Sequence, residues 1–245
     1  MTAGLADGLA GLADGAVVAV GGAGLVRKPM AALRALADGG RRDLVVVSFL
    51  GGVDVELLLE AGCVAELHSA GVSLDGAGLA PRFRAAREAA AIRFVEWSEG
   101  SLVTSLEAAA RRLDSALTRS GLGTDLPAMN PWLRETADPH TGAAVMAARA
   151  IVPDLALLHV PWIDERGNAH VAGDLAADGL LARAARRTLV TYEERCDLDA
   201  EGAAISRIWI DEAVHAPGGS LPSGCHPLVR ADLVEVGRIA AGSRG

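Results

Sequence analysis

The stretch Phe94 to Leu102, FVEWSEGSL, joins a short apolar strand to an acidic pair, a glycine and the start of a helix. Its chemical focus is Glu99. Ile92, Phe94 and Val95 read as a buried strand, and Ser98 or Ser101 can cap the following run SLVTSLEAAARRL. In an open α/β sheet, ligands gather outside the carboxyl ends of the strands, so a carboxylate on this turn faces a site. Gly100 permits close approach to it. A carboxylate in a closed cleft, with its pKa raised, can act as a base. The competing reading is structural, with Glu99 as an early-helix acid that complements the helix dipole.

A second candidate is the loop GGAGLVRKP after the apolar run AVVAV. Gly21, Gly22 and Gly24 let backbone amides approach a ligand, Pro29 suits a first helical turn, and amides at such a helix start can bind an anion. Arg27 and Lys28 are the local cations. The glycine spacing departs from the dinucleotide fingerprint, and a tight packing turn or a solvated cation pair accounts equally well for the loop. His68 reads as a polar strand-end residue with no adjacent acid to orient it, and Ser73 falls near the same crevice. The other histidines, at 140, 159, 170, 215 and 226, show no helical metal-ligand spacing, so a metal site is not expected. No GxSxG elbow occurs. Cys63, Cys196 and Cys225 are dispersed, as befits a reducing compartment. Glu193 and Glu194 form a second acidic strand end, read as structural or inter-subunit contacts.

The elements that must carry these residues alternate between strand and helix. Leu44 to Phe49 has the continuous apolar character of a strand buried on both faces, Val53 to Glu60 reads as a helix, and Val64 to His68 as a strand. Pro81 to Ala91 is helical, and a long helix is expected from Ser101 to Leu117. Residues 120–142 lose periodicity and read as a binding or partner-contact loop. Leu155 to Val160 restores strand character, and DERGNAHV reads as a hairpin around Gly167 and Asn168 that makes a mixed sheet edge. Leu180 to Arg187 is a helix, Thr188 to Tyr192 a strand, Ile205 to Ile210 and Ala213 to Val214 late strand pieces, and the closing helix lies near Ala231 to Ala241. The pattern defines an α/β fold, a mostly parallel sheet with helices on both faces, in one domain over 1–245. With 51% hydrophobic but only 3% aromatic residues, the core must be aliphatic. The formal charge of -8 opposes unspecific attraction to nucleic acid or anionic membrane. The first residues lack a basic leader and no apolar run spans a bilayer, so a soluble cytoplasmic protein is expected.

The segments DGAVVAVGGAGLVRKPMAAL, GGVDVELLLEAG, SAGVSLDG, GLGTD, LALLHV with DERGNAHV, TLVTYEE and HAPGGSLPS together resemble class I coenzyme A transferase A subunits, with the glutaconate transferase branch nearest. The likeness covers nearly the whole chain. It implies a NagB/RpiA/CoA-transferase-like fold and a homologous B subunit, with α2β2 assembly and an active site between the chains. It implies CoA thioester as substrate and no further cofactor. In that family the nucleophilic glutamate lies in the B subunit, within a Ser-Glu-Asn-Gly motif. Ser98-Glu99-Gly100 resembles a contracted form of that motif, where transferase A subunits tend to be neutral. The chain is similar in this respect to actinobacterial steroid-ring-opening hydrolases, which cleave a carbon-carbon bond in a cyclic β-keto acyl-CoA. Glu99 is then the expected catalytic carboxylate, the Gly21-Gly22 loop with Arg27 and Lys28 the substrate or oxyanion loop, and Ser73, Trp97, Ser98 and Gly100 its lining, with Trp97 excluding water. The first reading is CoA transfer, with carbon-carbon hydrolysis next. A glutaconyl-type decarboxylase or a non-catalytic ligand-sensing domain ranks below both.

Overall fold

A computed structural model describes residues 3–197 and 202–242. The strands of the main sheet are β1 (Val17–Ala23), β2 (Leu44–Leu50), β3 (Val64–Ser69), β4 (Arg93–Glu96), β8 (Leu155–Asp164), β10 (Thr188–Cys196) and β11 (Glu212–His215), and β9 (Ala169–His170) folds back on β8. Their order is β11-β10-β8-β1-β2-β3-β4, with every neighbouring pair along this path parallel. Helices α1 (Ala3–Gly8), α2 (Met30–Asp38), α3 (Val53–Glu60), α4 (Pro81–Glu88), α5 (Glu99–Ala110), α7 (Asp178–Ala184) and α8 (Leu233–Ala240) complete this part.

Period-two alternation along the central strands builds two apolar cores, one on each face of the sheet. Val18, Val20, Val46, Leu155 and Leu157 enter the core formed with Leu33 and Leu36 of α2 and Leu58 of α3. Their neighbours Ala19, Val47, Ala156 and Leu158 turn to the opposite face and pack with Leu102 and Leu106 of α5 and Leu181 of α7. A continuous aliphatic run is therefore needed, because no central strand has a wet side.

The expected hairpin forms, with Trp162 opposite His170 and Ile163 opposite Ala169 in antiparallel pairing. Asp164 organises its turn by accepting from the amides of Arg166 and Asn168 and from the Asn168 side chain. Burial pushes the Asp164 carboxyl up, yet the bonds from Asn168, His170 and the Arg166 amide outweigh this and hold it at about 2.

Three expectations need correction. The helix read over Ser101 to Leu117 ends at Ala110, and Ser115–Thr118 is instead a strand, β5. The supposed loop at 120–142 contains α6 (Leu126–Met129) and β6 (Leu133–Ala137). With β7 (Ala144–Arg149), these strands make a small antiparallel sheet of order β5-β7-β6. Met146 and Ala148 of β7 enter the α5 core, so the sheet is fixed by burial that only the folded chain supplies. Ile205 to Ile210 is not a strand either. Only Ile205 bridges to Ala169, and Arg207–Trp209 is a turn of 3-10 helix. Among the described residues, no helix is long and apolar enough to cross a membrane.

Candidate active site

At the carboxyl end of β4, Ser98 caps α5 in a reciprocal box: its side chain accepts from the Ser101 amide, and the Ser101 hydroxyl accepts from the Ser98 amide. Glu99 is the first residue of α5, and its carboxylate is exposed, with no hydrogen bond or ion pair to any described residue. Both the catalytic and the structural reading of it survive locally, since the dipole favours an acid here and no described residue neutralises it.

The turn is held from two sides. Ser101 Oγ donates to the Ser98 carbonyl at 3.0 Å and Ser98 Oγ donates to Ser101 Oγ at 2.7 Å. Ser98 therefore has no proton left for Ser120, and the 2.8 Å contact between Ser98 Oγ and Ser120 Oγ is a bond donated by Ser120. Gly100 makes room for it, because a Cβ there would lie 2.7 Å from Ser120 Oγ. Close approach at Gly100 thus serves the chain's own Ser120. On the other side, the Asn130 side chain donates to the Glu96 carbonyl at 2.8 Å and accepts from the Trp132 amide.

Trp97 is buried beneath this turn and its indole N–H donates to His68 Nδ1 at 3.1 Å. That assigns the imidazole proton to Nε2, which lies 2.6 Å from Glu66 Oε1. His68 therefore does have an acidic partner, contrary to the sequence reading. Glu66 is two residues earlier on the same strand, and residues so spaced share a face. Burial pushes the His68 pKa down, against the pull of Glu66, which keeps the ring neutral. Trp132 packs edge-on against it at 5.3 Å. Ser73 is exposed and serves its own loop, accepting from the Asp75 amide at 3.1 Å.

The glycine loop is differently placed than an oxyanion site requires. Its amides are already engaged: Gly22 with Asp178 Oδ1 at 2.7 Å, Ala23 with Val26, Gly24 with Leu50, Leu25 with Asp75, Val26 with Ala23, Arg27 with Gly224 and Lys28 with Ser223. Gly22 has a φ of +70°, and a Cβ there would lie 2.2 Å from the Val26 carbonyl oxygen, so its glycine is a folding requirement. Arg27 and Lys28 are not solvated cations. Arg27 pairs with Asp178 at 3.0 Å and Lys28 with Asp54 at 3.1 Å, all four side chains being buried. Gly21 lies at the end of β1 between Leu158 and Asp178, with no space for a side chain.

The Arg27–Asp178 pair joins the loop after β1 to α7, beside the point where β1 meets β8 and strand order reverses, while Lys28–Asp54 lies at the end of β2, where Lys28 also meets Ser48 and the Leu50 carbonyl. A third pair joins β8 to β10. His159 Nε2 is 2.8 Å from Glu193 Oε1, and Glu193 Oε2 accepts from the Gly218 amide at 2.6 Å. On its other side, His159 Nδ1 lies 2.8 Å from Thr191 Oγ1, which is itself 3.1 Å from the Leu158 carbonyl. Burial pushes Glu193 up, but bonds from His159 and Gly218 and the nearby charges bring it below its usual value. Cys225 lies in the same cluster, its ligand atom within 4.8 Å of those of His159 and Glu193. Burial and then Glu193 push its thiol up to about 12, so it stays protonated. Sequence spacing missed this group, since 34 residues separate His159 from Glu193. The only signal in the sequence was the acidic end of TLVTYEE.

Arg27, Lys28 and the Gly22 amide are thus engaged by the chain's own groups, whereas Glu99 at the β4 end is exposed with no hydrogen bond or ion pair to any described residue. An α/β subunit that presents a lone carboxylate on a strand-to-helix turn is the class these features define. The chain belongs to the coenzyme A transferase family, whose model, Coenzyme A transferase, matches residues 3–219. Among curated relatives, the cholesterol ring-cleaving hydrolase IpdA subunit of Rhodococcus jostii is 35% identical over 233 residues, covering 88% of this chain and 78% of that protein. The A subunit of the 3-oxoadipate CoA-transferase of Pseudomonas knackmussii is 34% identical over 210 residues, covering 83% and 74%. Among solved structures, a variant of the decarboxylase AibA/AibB superposes with a TM-score of 0.86 at 34% identity, covering 97% of this chain and 94% of that one. The glutaconate coenzyme A-transferase of Acidaminococcus fermentans has a TM-score of 0.90 at 24% identity, covering 97% and 82%, and supports the fold assignment.

Proposed function

We propose that this chain is the A subunit of a cytoplasmic α2β2 enzyme that moves CoA between an acyl-CoA and a carboxylic acid, without a further cofactor. The observation that carries the reading is the family match over residues 3–219, together with a site that this chain leaves incomplete. Glu99 is exposed and unpartnered, so a second chain must enclose it before its chemistry can be sheltered from water.

In the transferase the partner's carboxylate attacks the acyl-CoA carbonyl, giving a mixed anhydride and CoA thiolate. The thiolate then attacks the enzyme's side of the anhydride, releasing the first acid and leaving CoA as an enzyme thioester. An acceptor carboxylate attacks that thioester, and the released thiolate takes the new acyl group, restoring the free carboxylate. No net proton is consumed. Glu99 would lie across the cleft from that nucleophile.

The second reading is carbon-carbon hydrolysis, favoured by the acid at position 99 and by the 35% identity to a ring-cleaving hydrolase subunit. There Glu99 would take a proton from water, the hydroxide would add to the β-keto carbon, and the breaking carbon-carbon bond would leave its electrons on the thioester enolate. Glu99 would return the proton to that carbanion.

Glu99→Gln in the assembled complex separates the two. In the transferase, borohydride traps a CoA thioester on the partner chain, and the variant is only moderately slower. In the hydrolase nothing is trapped and turnover falls by roughly 100- to 10,000-fold, the usual scale for a general base. An inert variant without trapping would overturn the transferase assignment. Full turnover by this chain alone would refute the shared site.

A further inference from the structure

The small sheet has a face turned away from the α5 core, on which Val145 is buried while Arg134 and Arg149 are exposed. Directly opposed residues share a face, so Ala116, Ala148 and Leu133 point inward together, as Ala148 and Leu133 do into the α5 core. By alternation, Ser115 and Leu117 of β5, Ala147 and Arg149 of β7, and Arg134 of β6 share the outward face, and Arg119 continues the β5 series. Arg119, Arg134 and Arg149 are exposed and form no ion pair with any described residue. Arg149 lies over the Trp132 ring at 4.7 Å. No carboxylate occupies an outward position of the three strands, although the charge of Arg119 reaches Asp138 in the turn beyond β6. Three unpaired guanidinium groups on one face stand out in a chain of formal charge -8.

Two corners of this face lead to the Glu99 turn. Ser120, next to Arg119, bonds to Ser98 and packs against Gly100. Trp132, beneath Arg149, packs on His68, which accepts from Trp97. Between the corners, Arg134 stands opposite Ala147, whose small side chain leaves the guanidinium accessible.

We infer that this arginine face holds the phosphate-bearing nucleotide end of the acyl-CoA, while the acyl end reaches the Glu99 turn. The inference rests on the acyl-CoA reading above. Guanidinium groups present rigid forks that match phosphate oxygens, and several such groups on one face suit a ligand carrying more than one phosphate. The formal charge of -8 disfavours a nucleic acid as occupant.

The test compares an acyl-CoA with the same acyl group on pantetheine, which lacks the phosphates, using the purified two-subunit complex. Arg134→Glu and Arg119→Glu should each raise KM for the CoA thioester on the order of tenfold or more, with a much smaller effect on the pantetheine thioester. Arg42→Glu, the same charge change at the opposite end of β2, should leave both substrates unaffected. Direct titration of free CoA into the complex should show the same loss of affinity in Arg134→Glu and Arg119→Glu, independently of turnover. Equal effects on both thioesters with unchanged CoA binding would overturn the inference, as would failure of these variants to co-purify with the partner, which would assign the face to the interface between the two chains. Absence of acyl-CoA turnover in the unsubstituted complex would instead count against the proposed activity, leaving the CoA titration to decide the phosphate site.

Discussion

Replacing Arg27 with methionine discriminates a buried structural cation from a substrate-binding one. The Arg27 and Asp178 side chains retain only 2% and 0% of their exposure, and their charges meet at 3.0 Å. Burial pushes the Asp178 carboxyl up, against the charge of Arg27 and the bond from the Gly22 amide. Removing the guanidinium leaves that carboxyl buried without its main counter-charge, which costs about 3–5 kcal/mol. At about 2–4 °C per kcal/mol for a chain of this size, the melting midpoint should fall by roughly 6–20 °C. The double variant Arg27→Met with Asp178→Leu removes both charges and should recover most of the loss. It should stay about 1–3 kcal/mol short, because the Gly22 amide no longer has its 2.7 Å acceptor. Calorimetric melting of the two single variants and the double closes the cycle, and steady-state kinetics of the assembled complex run beside it. A midpoint unchanged in Arg27→Met, with a raised KM, would refute the structural assignment and return Arg27 to the substrate.

Gly100→Ala should destabilise the seating of Ser120 by about 1–3 kcal/mol, since the new methyl would meet Ser120 Oγ at 2.7 Å. Adding Ser120→Gly should restore the midpoint, and a neutral Gly100→Ala would show that the contact is not limiting. For the hairpin, the depressed pKa of Asp164 means that its ionised form stabilises the folded chain fully above the ordinary value of 3.8, and this contribution fades as pH falls toward about 2. Asp164→Asn should therefore lower the midpoint at pH 6 and lose that difference in acid. A difference that persisted at pH 2 would remove ionisation as the cause.

Much of the fold is legible in the chain itself because it rests on local rules. The apolar runs of β1, β2 and β8 announce strands wet on neither face, Val53–Glu60 forms the helix read from its pattern, and of the two serines offered as caps Ser98 is the one that caps α5, with Ser101 completing the box. The hairpin at Asp164 follows from its turn residues, and Glu99 falls on the strand-to-helix turn where its neighbours place it. β5 and β7 escaped notice because short strands such as SALT and AVMAAR acquire their identity from each other and from α5, not from any period of their own.

The fate of the charges was decided in three dimensions. Arg27 and Asp178 are 151 positions apart, and Lys28 meets Asp54 only because α2 and α3 both begin at the carboxyl edge of the sheet. A cation in a glycine loop looks the same in sequence whether it faces water or a buried acid. Its role depends on which distant carboxylate the strand order delivers, and on whether desolvation makes that pairing obligatory. Arg27–Asp178 spans the reversal of order between β1 and β8, whereas Lys28–Asp54 lies on the β2 side and His159–Glu193 joins β8 to β10. Glu99, at the edge strand β4, has no ion pair with any described residue.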